Sequence, residues 1–364
     1  MPEDPRRQSP TPSPGLDVTR DAVQLTEDLV NIESVSGNEQ QIADAVEAAL
    51  RELSHLEVQR FGHTVVARTD QGHDERVVIA GHLDTVPLND NLPARRDATR
   101  LHGLGSCDMK GGVAVALRLA ATMPRTNRDV TYLFYECEEV ESERNGLLLL
   151  SQSHPELLQA DFAILMEPSG AVVEAGCQGT LRVDVTTRGV RAHSARSWTG
   201  VNAIHDAAEV LARLNAYEPR RPVIDGLEYH EGLNAVFVSG GVAGNVLPDA
   251  CTVSVNYRFA PDLSEAEAYA HVCEVFDGFE VAVGDSAPGA MPGLSVPAAA
   301  AFVEAVGGTA NPKFGWTDVA RFAALGIPAV NFGPGDPSKA HADDEFCPAE
   351  DLYSCRDGLV RWLS

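Results

Sequence analysis

Basic residues are scarce in this sequence. Lysine and arginine together number 28 against 53 aspartates and glutamates, which gives a formal net charge of -25 at pH 7. No basic stripe along the chain offsets this excess of negative charge. Because nucleic acids and anionic membrane surfaces attract clusters of lysine and arginine, the sequence argues against both as partners.

Paired cysteines and long apolar runs are also absent. The seven cysteines are scattered and none forms a C-x-x-C spacing, which argues against a zinc ribbon or a disulfide framework and predicts a cytoplasmic protein. No uninterrupted apolar stretch is long enough to span a membrane. The proline-rich residues 1–15 contain no apolar segment of the signal-peptide type, so they are predicted to form a disordered tail.

The pattern of predicted elements changes along the 364 residues. Continuous apolar runs near 77–80, 132–135 and 162–166 alternate with helical patterns, as is typical of a doubly wound α/β domain. After residue 179 the predicted order becomes β-α-β-β-α-β, the order of a ferredoxin-like α+β domain, before helix-strand alternation resumes. We therefore predict a catalytic domain of residues 16–178 and 292–364, with an inserted α+β domain at 179–291.

One amphipathic helix is predicted directly after the turn at Ser36 and Gly37. Four apolar side chains recur there at the spacing of one helical face: Ile42, Val46, Leu50 and Leu53. This spacing predicts a helix that packs on the sheet.

Acidic residues and histidines stand where the apolar runs end or in the segments between them. Seven are candidates for a functional site: His82, Asp84, Asp108, Glu138, Glu139, Glu167 and His341. Ligands of open α/β sheets bind beyond the carboxyl ends of the strands. Several carboxylates collected there would repel one another and would be costly to desolvate unless cations held them together. The sequence therefore predicts a metal enzyme.

The side-chain types favour a centre with two ions. Asp108 can offer one carboxylate oxygen to each ion. His82 and Glu167 would complete the first ion, and Glu139 and His341 would complete the second. This mixture of nitrogen and oxygen ligands favours two Zn²⁺ ions, with cobalt or manganese as substitutes.

Two further acids are predicted to assist the reaction. Asp84 stands two residues after His82 and would accept a hydrogen bond from the imidazole ring, which fixes its tautomer. Glu138 is the predicted general base, which takes a proton from water and later passes it to a leaving amine. The predicted reaction is hydrolysis without a covalent enzyme intermediate.

Four segments, in the same order, resemble the family of dinuclear zinc aminoacyl hydrolases, which includes deacetylases, desuccinylases, aminoacylases and carboxypeptidases. They are 81–87 (GHLDTVP), 103–112 (GLGSCDMKGG), 138–139 (EE) and 166–169 (MEPS). The resemblance implies a zinc-peptidase-like catalytic domain and the same five ligands, with Asp108 shared. It also implies Asp84 as the residue that orients His82, Glu138 as the base, and a cis peptide bond between Asp108 and Met109.

Three segments are most similar to the actinobacterial succinyl-diaminopimelate desuccinylases of that family: 174–182 (EAGCQGTLR), 191–198 (RAHSARSW) and 315–322 (GWTDVARF). The resemblance implies cleavage of N-succinyl-LL-2,6-diaminopimelate to succinate and LL-2,6-diaminopimelate, a step of lysine and cell-wall precursor synthesis. The residues leave open deacylation of another N-acyl amino acid such as acetylornithine, a dipeptidase, and a catalytically silent binding module.

The resemblance also implies functional residues in the inserted domain. His193 matches a histidine that reaches the active site of the partner subunit and stabilises the tetrahedral oxyanion, so we expect a homodimer in which this domain also acts as a lid. Asn245 and Arg258 match positions that contact the substrate, and Thr317 is a further candidate for that role.

The binding of the substrate carboxylates is the part of the site that departs from the family pattern. Gram-negative desuccinylases carry an arginine pair where this chain has Cys177 and Gln178. Arg182 or Arg196 is expected to substitute, because a guanidinium binds carboxylates in a bidentate manner. Arg182 equally fits a solvated arginine on a strand face.

Overall fold

The computed structural model describes residues 15–364, so the predicted tail at 1–15 lies outside the described residues except for Gly15. The described chain divides into two compact units. Unit 1 contains the residues up to Glu174 together with Ser295–Ala310 and Ala324–Ser364, and unit 2 contains Ala175–Leu294 and Asn311–Ala323.

Unit 2 differs from the predicted insert at 179–291 chiefly by the additional segment Asn311–Ala323. Backbone hydrogen bonds account for this difference. The N–H of Lys313 donates to the carbonyl of Ala175, and the N–H of Gln178 donates to the carbonyl of Lys313. The segment that contains Thr317 is therefore hydrogen-bonded within unit 2, which the linear pattern of elements did not indicate.

Within residues 15–364 the helices are α1 (Ala22–Val30), α2 (Gln40–Arg51), α3 (Lys110–Thr122), α4 (Gly146–Ser153), α5 (Ala203–Ala216), α6 (Glu265–Val275), α7 (Pro297–Val306), α8 (Val319–Ala324) and α9 (Ala349–Leu363). None of these helices has both the length and the apolar composition needed to cross a membrane. The strands are β1 (Glu57–Phe61), β2 (Thr64–Arg68), β3 (Arg76–His82), β4 (Arg95–Arg96), β5 (Arg100–His102), β6 (Asp129–Tyr135), β7 (Phe162–Leu165), β8 (Val173–Ala175), β9 (Gly179–Arg188), β10 (Ala192–His193), β11 (Val223–Ile224), β12 (Leu227–Glu228), β13 (Gly232–Gly240), β14 (Val246–Leu247), β15 (Ala250–Phe259), β16 (Glu280–Ala287), β17 (Ala310–Pro312), β18 (Ala329–Asn331) and β19 (Phe346–Pro348).

The main sheet of unit 1 has the strand order β1-β2-β6-β3-β7-β18, followed in the same sheet by the short strands β8 and β17. Strands β6, β3, β7 and β18 pair in parallel, whereas β1 and β2 form an antiparallel hairpin that extends the sheet beyond β6. The parallel strands are buried along almost their whole length, as their continuous apolar runs predict. The predicted α/β fold class is confirmed.

The predicted helix after Ser36 and Gly37 is α2, and Ile42, Val46 and Leu50 are fully buried on it. The placement of Leu53 on the same helical face is wrong, because α2 ends at Arg51. The backbone N–H of Leu53 donates to the carbonyl of Leu50, three residues before it. Such a bond tightens the last turn and ends the regular helix.

Unit 2 contains a four-stranded antiparallel sheet in the order β13-β15-β9-β16. Helix α5 connects β9 to β13 and α6 connects β15 to β16, so the predicted β-α-β-β-α-β order is confirmed. Burial alternates along β9 and β15, because one face of each strand packs on the core and the other does not. Strand β13 lies at the edge of this sheet, and its residues from Asn234 onward are exposed.

Candidate metal centre

The register of the parallel strands brings the predicted ligands of unit 1 to one edge of the main sheet. His82 is the last residue of β3 and pairs with Tyr135, the last residue of β6. Ala80 pairs with Leu165, the last residue of β7. Glu138, Glu139 and Glu167 therefore follow the carboxyl ends of strands that are direct neighbours of β3. This placement is the one that the sequence predicted.

Asp108 faces two histidines with different oxygens. Its Oδ1 is 3.2 Å from Nε2 of His82, and its Oδ2 is 3.5 Å from Nε2 of His341. Nε2 of His341 is also 2.8 Å from Oε1 of Glu139. His82, Asp108 and Glu139 each offer a ligand atom within 4.8 Å of the other two. A carboxylate shared by two ions requires this arrangement of its oxygens. Glu167, which is 6% exposed, is placed at the same edge by the register of β7 with β3.

The buried ring of His82 shows that the donor set fits a cation. Its Nδ1 is 3.0 Å from the backbone carbonyl oxygen of Asp84, which can only accept, so Nδ1 carries a proton. In the neutral ring, the Nε2 lone pair then faces Oδ1 of Asp108, and the two repel unless a proton or a metal ion lies between them. Burial lowers the pKa of His82, but hydrogen bonds with Asp108 and Asp84 raise it well above its usual range.

Asp84 contacts the other site residues through both its backbone carbonyl and its side-chain carboxylate. Its carbonyl accepts from the ring of His82, whereas its Oδ1 is 3.5 Å from Nδ1 of that ring. Its carboxylate accepts from the backbone N–H groups of Glu138 and Glu139 at 3.0 and 3.1 Å and from the hydroxyl of Ser36 at 2.7 Å. Burial raises the pKa of Asp84, but the hydrogen bonds from His82, Glu138 and Ser36 lower it to about 2. The carboxylate is therefore ionised at neutral pH and anchors the segment that carries the predicted base.

The segment between β6 and Glu138 makes a sharp turn. Cys137 has a φ of 56°, in the left-handed region that residues other than glycine seldom adopt. Its backbone N–H donates to Oε1 of Glu39 at 3.2 Å, and Glu39 is fully buried. This turn directly precedes Glu138 and Glu139, which are both half-buried.

The peptide bond between Asp108 and Met109 is cis, as the family resemblance implied.

A second group of side chains, Glu39, His63 and Glu136, also brings potential ligand atoms within 4.8 Å of one another. It shares no residue with the predicted ligand set. The guanidinium of Arg60 is 3.1 Å from Nδ1 of His63, and because arginine can only donate, Nδ1 accepts and a neutral ring carries its proton on Nε2. The proton and the neighbouring positive charge both oppose a metal ion, so we assign no ion to this group.

His193 lies in unit 2, is exposed, and pairs with Val246 between β10 and β14. Its Nδ1 accepts from the backbone N–H of Ala195 at 3.0 Å, which leaves the neutral ring with an Nε2–H group that can donate. The carbonyl of Asn245 accepts from the backbone N–H of Ser194 at 2.9 Å, so Asn245 lies beside the same segment.

The other predicted substrate residues of unit 2 differ in their surroundings. The side chain of Arg182 is 53% exposed, and a nitrogen of its guanidinium is 3.9 Å from a carboxylate oxygen of Asp285. Arg196 and Arg258 are exposed, and neither forms an ion pair with the residues in the described part of the chain. Burial lowers the pKa of the Arg258 guanidinium even though its side chain is partly exposed. Thr317 is 5% exposed.

Cys177 and Gln178, at the position of the arginine pair of other desuccinylases, are integrated into the packing of unit 2. Cys177 is fully buried and its backbone pairs with Ala290. Gln178 is also buried, and its Nε2 donates to the carbonyl of His230 at 2.7 Å. Both side chains are thus occupied by structural contacts within this unit.

Comparison with known proteins shows the family of this chain. The model of peptidase family M20/M25/M40 matches residues 78–364. The chain is 55% identical over 351 residues to a putative succinyl-diaminopimelate desuccinylase of Mycobacterium tuberculosis, an alignment that covers 96% of this chain and 99% of that protein. It is 49% identical over 362 residues to a succinyl-diaminopimelate desuccinylase of Corynebacterium glutamicum, an alignment that covers 96% of this chain and 98% of that protein.

A solved structure also has the same fold. The crystal structure of aminopeptidase PepT from Bacillus cereus aligns with a TM-score of 0.76 at 19% identity, covering 95% of this chain and 99% of that one. The sequence resemblance to the actinobacterial desuccinylases is confirmed by the two relatives. The chain belongs to peptidase family M20/M25/M40.

Proposed function

We propose that this protein is a metal-dependent amidohydrolase that cleaves N-succinyl-LL-2,6-diaminopimelate to succinate and LL-2,6-diaminopimelate. The hydrolase assignment depends most on the position of Asp108. One of its oxygens faces His82 and the other faces His341, which also contacts Glu139. The substrate follows from relatives of that name that are 55% and 49% identical over 96% of the chain.

Two divalent ions would be held by the residues at this sheet edge. His82, Asp108 and Glu167 would bind one ion, and Asp108, Glu139 and His341 the other. Imidazole and carboxylate ligands suit zinc, with cobalt or manganese as substitutes. When bound, the ions supply Lewis-acid polarisation of the scissile carbonyl and favour ionisation of water near neutral pH.

Glu138 takes the proton of the attacking water and transfers it to the leaving amine. Its backbone is held by the carboxylate of Asp84, which limits the movement of the segment while the side chain stays half-buried. A base of this kind works best when its position is fixed before the substrate binds. Asp84 also keeps the proton of His82 on Nδ1 and so leaves Nε2 as a ligand.

His193 donates its Nε2–H to the substrate carbonyl oxygen as negative charge develops there, and it does so in the active site of the partner subunit of a homodimer. The exposed ring of His193 supports this role, because the N–H of Ala195 donates to its Nδ1 and a neutral ring then carries its proton on Nε2. Unit 2 also exposes large apolar side chains, among them Trp198 at 80% and Phe237 at 75%, which suits an interface with a second copy. Unit 2 would then act as the lid of the site.

The substrate carboxylates are bound by arginines of unit 2. Arg196 and Arg258 form no ion pair in the described part of the chain, so their charges are available for a ligand. Arg182 lies near Asp285 and contributes less. Asn245 and Thr317 supply further polar contacts to the substrate.

A cytoplasmic location is consistent with the cysteines of this chain. All seven are free and six of them are buried. Thiols that persist unpaired are typical of a reducing compartment.

Hydrolysis of N-succinyl-LL-2,6-diaminopimelate and of acetylornithine by the same zinc-loaded protein tests the assignment. We expect succinate release from the first compound and a far lower kcat/KM for the second. A preference for acetylornithine, or for a dipeptide in a third reaction, would move the chain to another activity of the family. Absence of turnover on all three by protein that holds two ions would favour a binding module.

A further inference from the structure

Glu345 is a buried acid that the proposed mechanism does not use, and only 2% of its surface is exposed. Its Oε1 accepts from the backbone N–H groups of Cys107 at 2.8 Å and Asp108 at 3.1 Å. Its Oε2 accepts from the N–H of Gly105 at 3.0 Å. One carboxylate therefore binds three backbone donors within four consecutive residues, the last of which is the shared ligand Asp108.

The fold brings Glu345 to this position through a short strand pair. Phe346, the first residue of β19, pairs with His102, the last residue of β5. The backbone N–H of Gly103 then donates to the carbonyl of Glu345 at 3.1 Å. The chain from Gly103 to Asp108 consequently runs alongside Glu345, and the carboxylate reaches along it.

The same residue is also close in sequence to a second ligand. His341 precedes Glu345 by four positions, and the backbone N–H of Glu345 donates to the carbonyl of Ala342 at 3.0 Å. The carboxylate thus links the segment of His341 to the segment of Asp108. Glu345 lies 237 to 240 positions after the three residues whose N–H groups it accepts, so the fold and not the sequence brings them together.

A carboxylate is the side chain that these donors require. An ionised carboxylate has two oxygens that accept only, so it can satisfy three N–H groups. A carboxamide of the same shape has one accepting oxygen, and its NH₂ group would face a backbone N–H. Both oxygens of Glu345 are therefore occupied by backbone donors next to Asp108, an arrangement that a neutral side chain of the same shape cannot reproduce.

We propose that Glu345 is a positioning residue of the metal centre, which fixes the backbone of Asp108 and ties it to the segment of His341. This inference rests on the proposed function only in that Asp108 and His341 bind metal. Residues that support metal ligands in this way change metal affinity when they are replaced, typically by about 10- to 100-fold.

The test measures metal binding by the full-length chain in the absence of substrate. Glu345→Gln should weaken Zn²⁺ binding by about 10- to 100-fold in competition with a chromophoric chelator. Its Co²⁺ absorption spectrum should change, because the ligand geometry around Asp108 changes. The KM for the succinylated substrate at saturating metal should stay near that of the wild type, since the residue does not contact substrate.

Glu231 in unit 2 provides a matched control, because it is also a buried glutamate that accepts hydrogen bonds. Its carboxylate accepts from the hydroxyl of Tyr257 at 2.8 Å and from the backbone N–H of Ala260 at 2.9 Å, and it pairs with Arg220. Glu231→Gln should lower the Tm and leave Zn²⁺ affinity and the Co²⁺ spectrum unchanged. A general effect of losing a buried carboxylate would instead appear in both variants.

Glu345→Asp is the second variant, which keeps the charge but shortens the side chain, and its Zn²⁺ affinity should lie between those of Glu345→Gln and the wild type. Folded Glu345→Gln protein with wild-type Zn²⁺ affinity would overturn the proposal. Failure of both variants to fold would also overturn it, since the residue would then be needed for the fold as a whole. Wild-type protein that binds no Zn²⁺ would instead refute the proposed function.

Discussion

Units 1 and 2 hold their proposed functional side chains in opposite ways. In unit 1 the segments that carry the ligands are fixed by buried carboxylates: Asp84 binds the N–H groups of Glu138 and Glu139, and Glu345 binds that of Asp108. In unit 2 His193 and the proposed arginines are exposed and have few partners. The same protein thus combines a region whose segments are held by buried carboxylates with one whose proposed functional side chains are exposed.

This difference indicates how the two regions contribute to catalysis. Side chains held by a hydrogen-bond network lose little entropy when a substrate binds, so we expect the proposed chemistry of unit 1 to need little rearrangement of its backbone. If the exposed arginines and His193 bind substrate as proposed, they lose rotamer freedom, which would subtract from the affinity that their contacts provide. We therefore expect substitutions in unit 1 to affect the chemical step or metal binding, and those in unit 2 to depend on substrate and assembly.

The largest expected effect is that of Glu138→Gln. The amide cannot take a proton from water, so kcat should fall by about 10³-fold, within the range that general bases contribute. Both ions should remain bound, because Glu138 is not a predicted ligand and Asp84 still accepts its backbone N–H. Steady-state kinetics and metal content measured on the same preparation check this.

Glu141→Gln is the matched control, since Glu141 is exposed three residues along the same segment. It should leave kcat and metal content unchanged. Substantial activity in Glu138→Gln would remove Glu138 as the base and would weaken the view that unit 1 carries the chemistry.

The next largest effect is expected in unit 2, where His193→Ala should lower kcat by about 10²-fold, the effect of losing one donor to an oxyanion. Metal content should not change. His205→Ala, an exposed histidine on α5, should have no effect. Mixing His193→Ala with Glu138→Gln subunits should restore activity, because a heterodimer then contains one site with both groups intact. No recovery after verified subunit exchange would contradict a role across the interface.

The sequence predicted the part of unit 1 whose pattern is local. Continuous apolar runs marked β3, β6 and β7, and the residues that follow the ends of these strands are those that the fold assembles. Helix α9 was missed although it had a detectable signal, since Leu352, Cys355 and Leu359 recur at helical spacing and are buried.

The supporting acids could not be predicted in the same way. Glu345 accepts from backbone groups 237 to 240 positions away, and Glu39 from Cys137, 98 positions away. An isolated glutamate has no periodicity that indicates a distant partner, and backbone N–H groups are present at nearly every residue. The anchoring role of the Asp84 carboxylate was likewise missed, because the sequence pointed only to its neighbour His82.

A smaller effect should appear in the pH dependence of metal binding. The hydrogen bond that His341 donates to the carboxylate of Glu139 raises the pKa of His341 from 6.5 to about 9, although burial opposes this. In the metal-free protein the ring is therefore protonated at neutral pH, and this stabilisation of the fold is complete below pH 6.5 and lost as the pH rises through about 9. A bound ion must displace that proton, so its affinity should increase about tenfold per pH unit across this range.

Competition titrations with Zn²⁺ at several pH values, in buffers that do not chelate, measure this slope. His341→Gln should flatten it for the ion held with Glu139, because the displaced proton is no longer there. An affinity for that ion that is independent of pH would show that His341 is not one of its ligands. The expected change concerns only unit 1 and should be the same without substrate.

The smallest effect is a comparison of two arginines within unit 2. Arg182 has a carboxylate neighbour, as its guanidinium is 3.9 Å from Asp285, whereas Arg258 has none in the described part of the chain and its pKa is lowered by burial. An uncompensated guanidinium gains more from a substrate carboxylate, because no existing pair must be broken. Arg258→Ala should therefore raise the KM for the succinylated substrate by about tenfold, with kcat little changed, while Arg182→Ala changes it by less than about twofold. Equal increases in KM for the two variants would mean that a neighbouring acid does not decide which arginine of unit 2 binds the substrate.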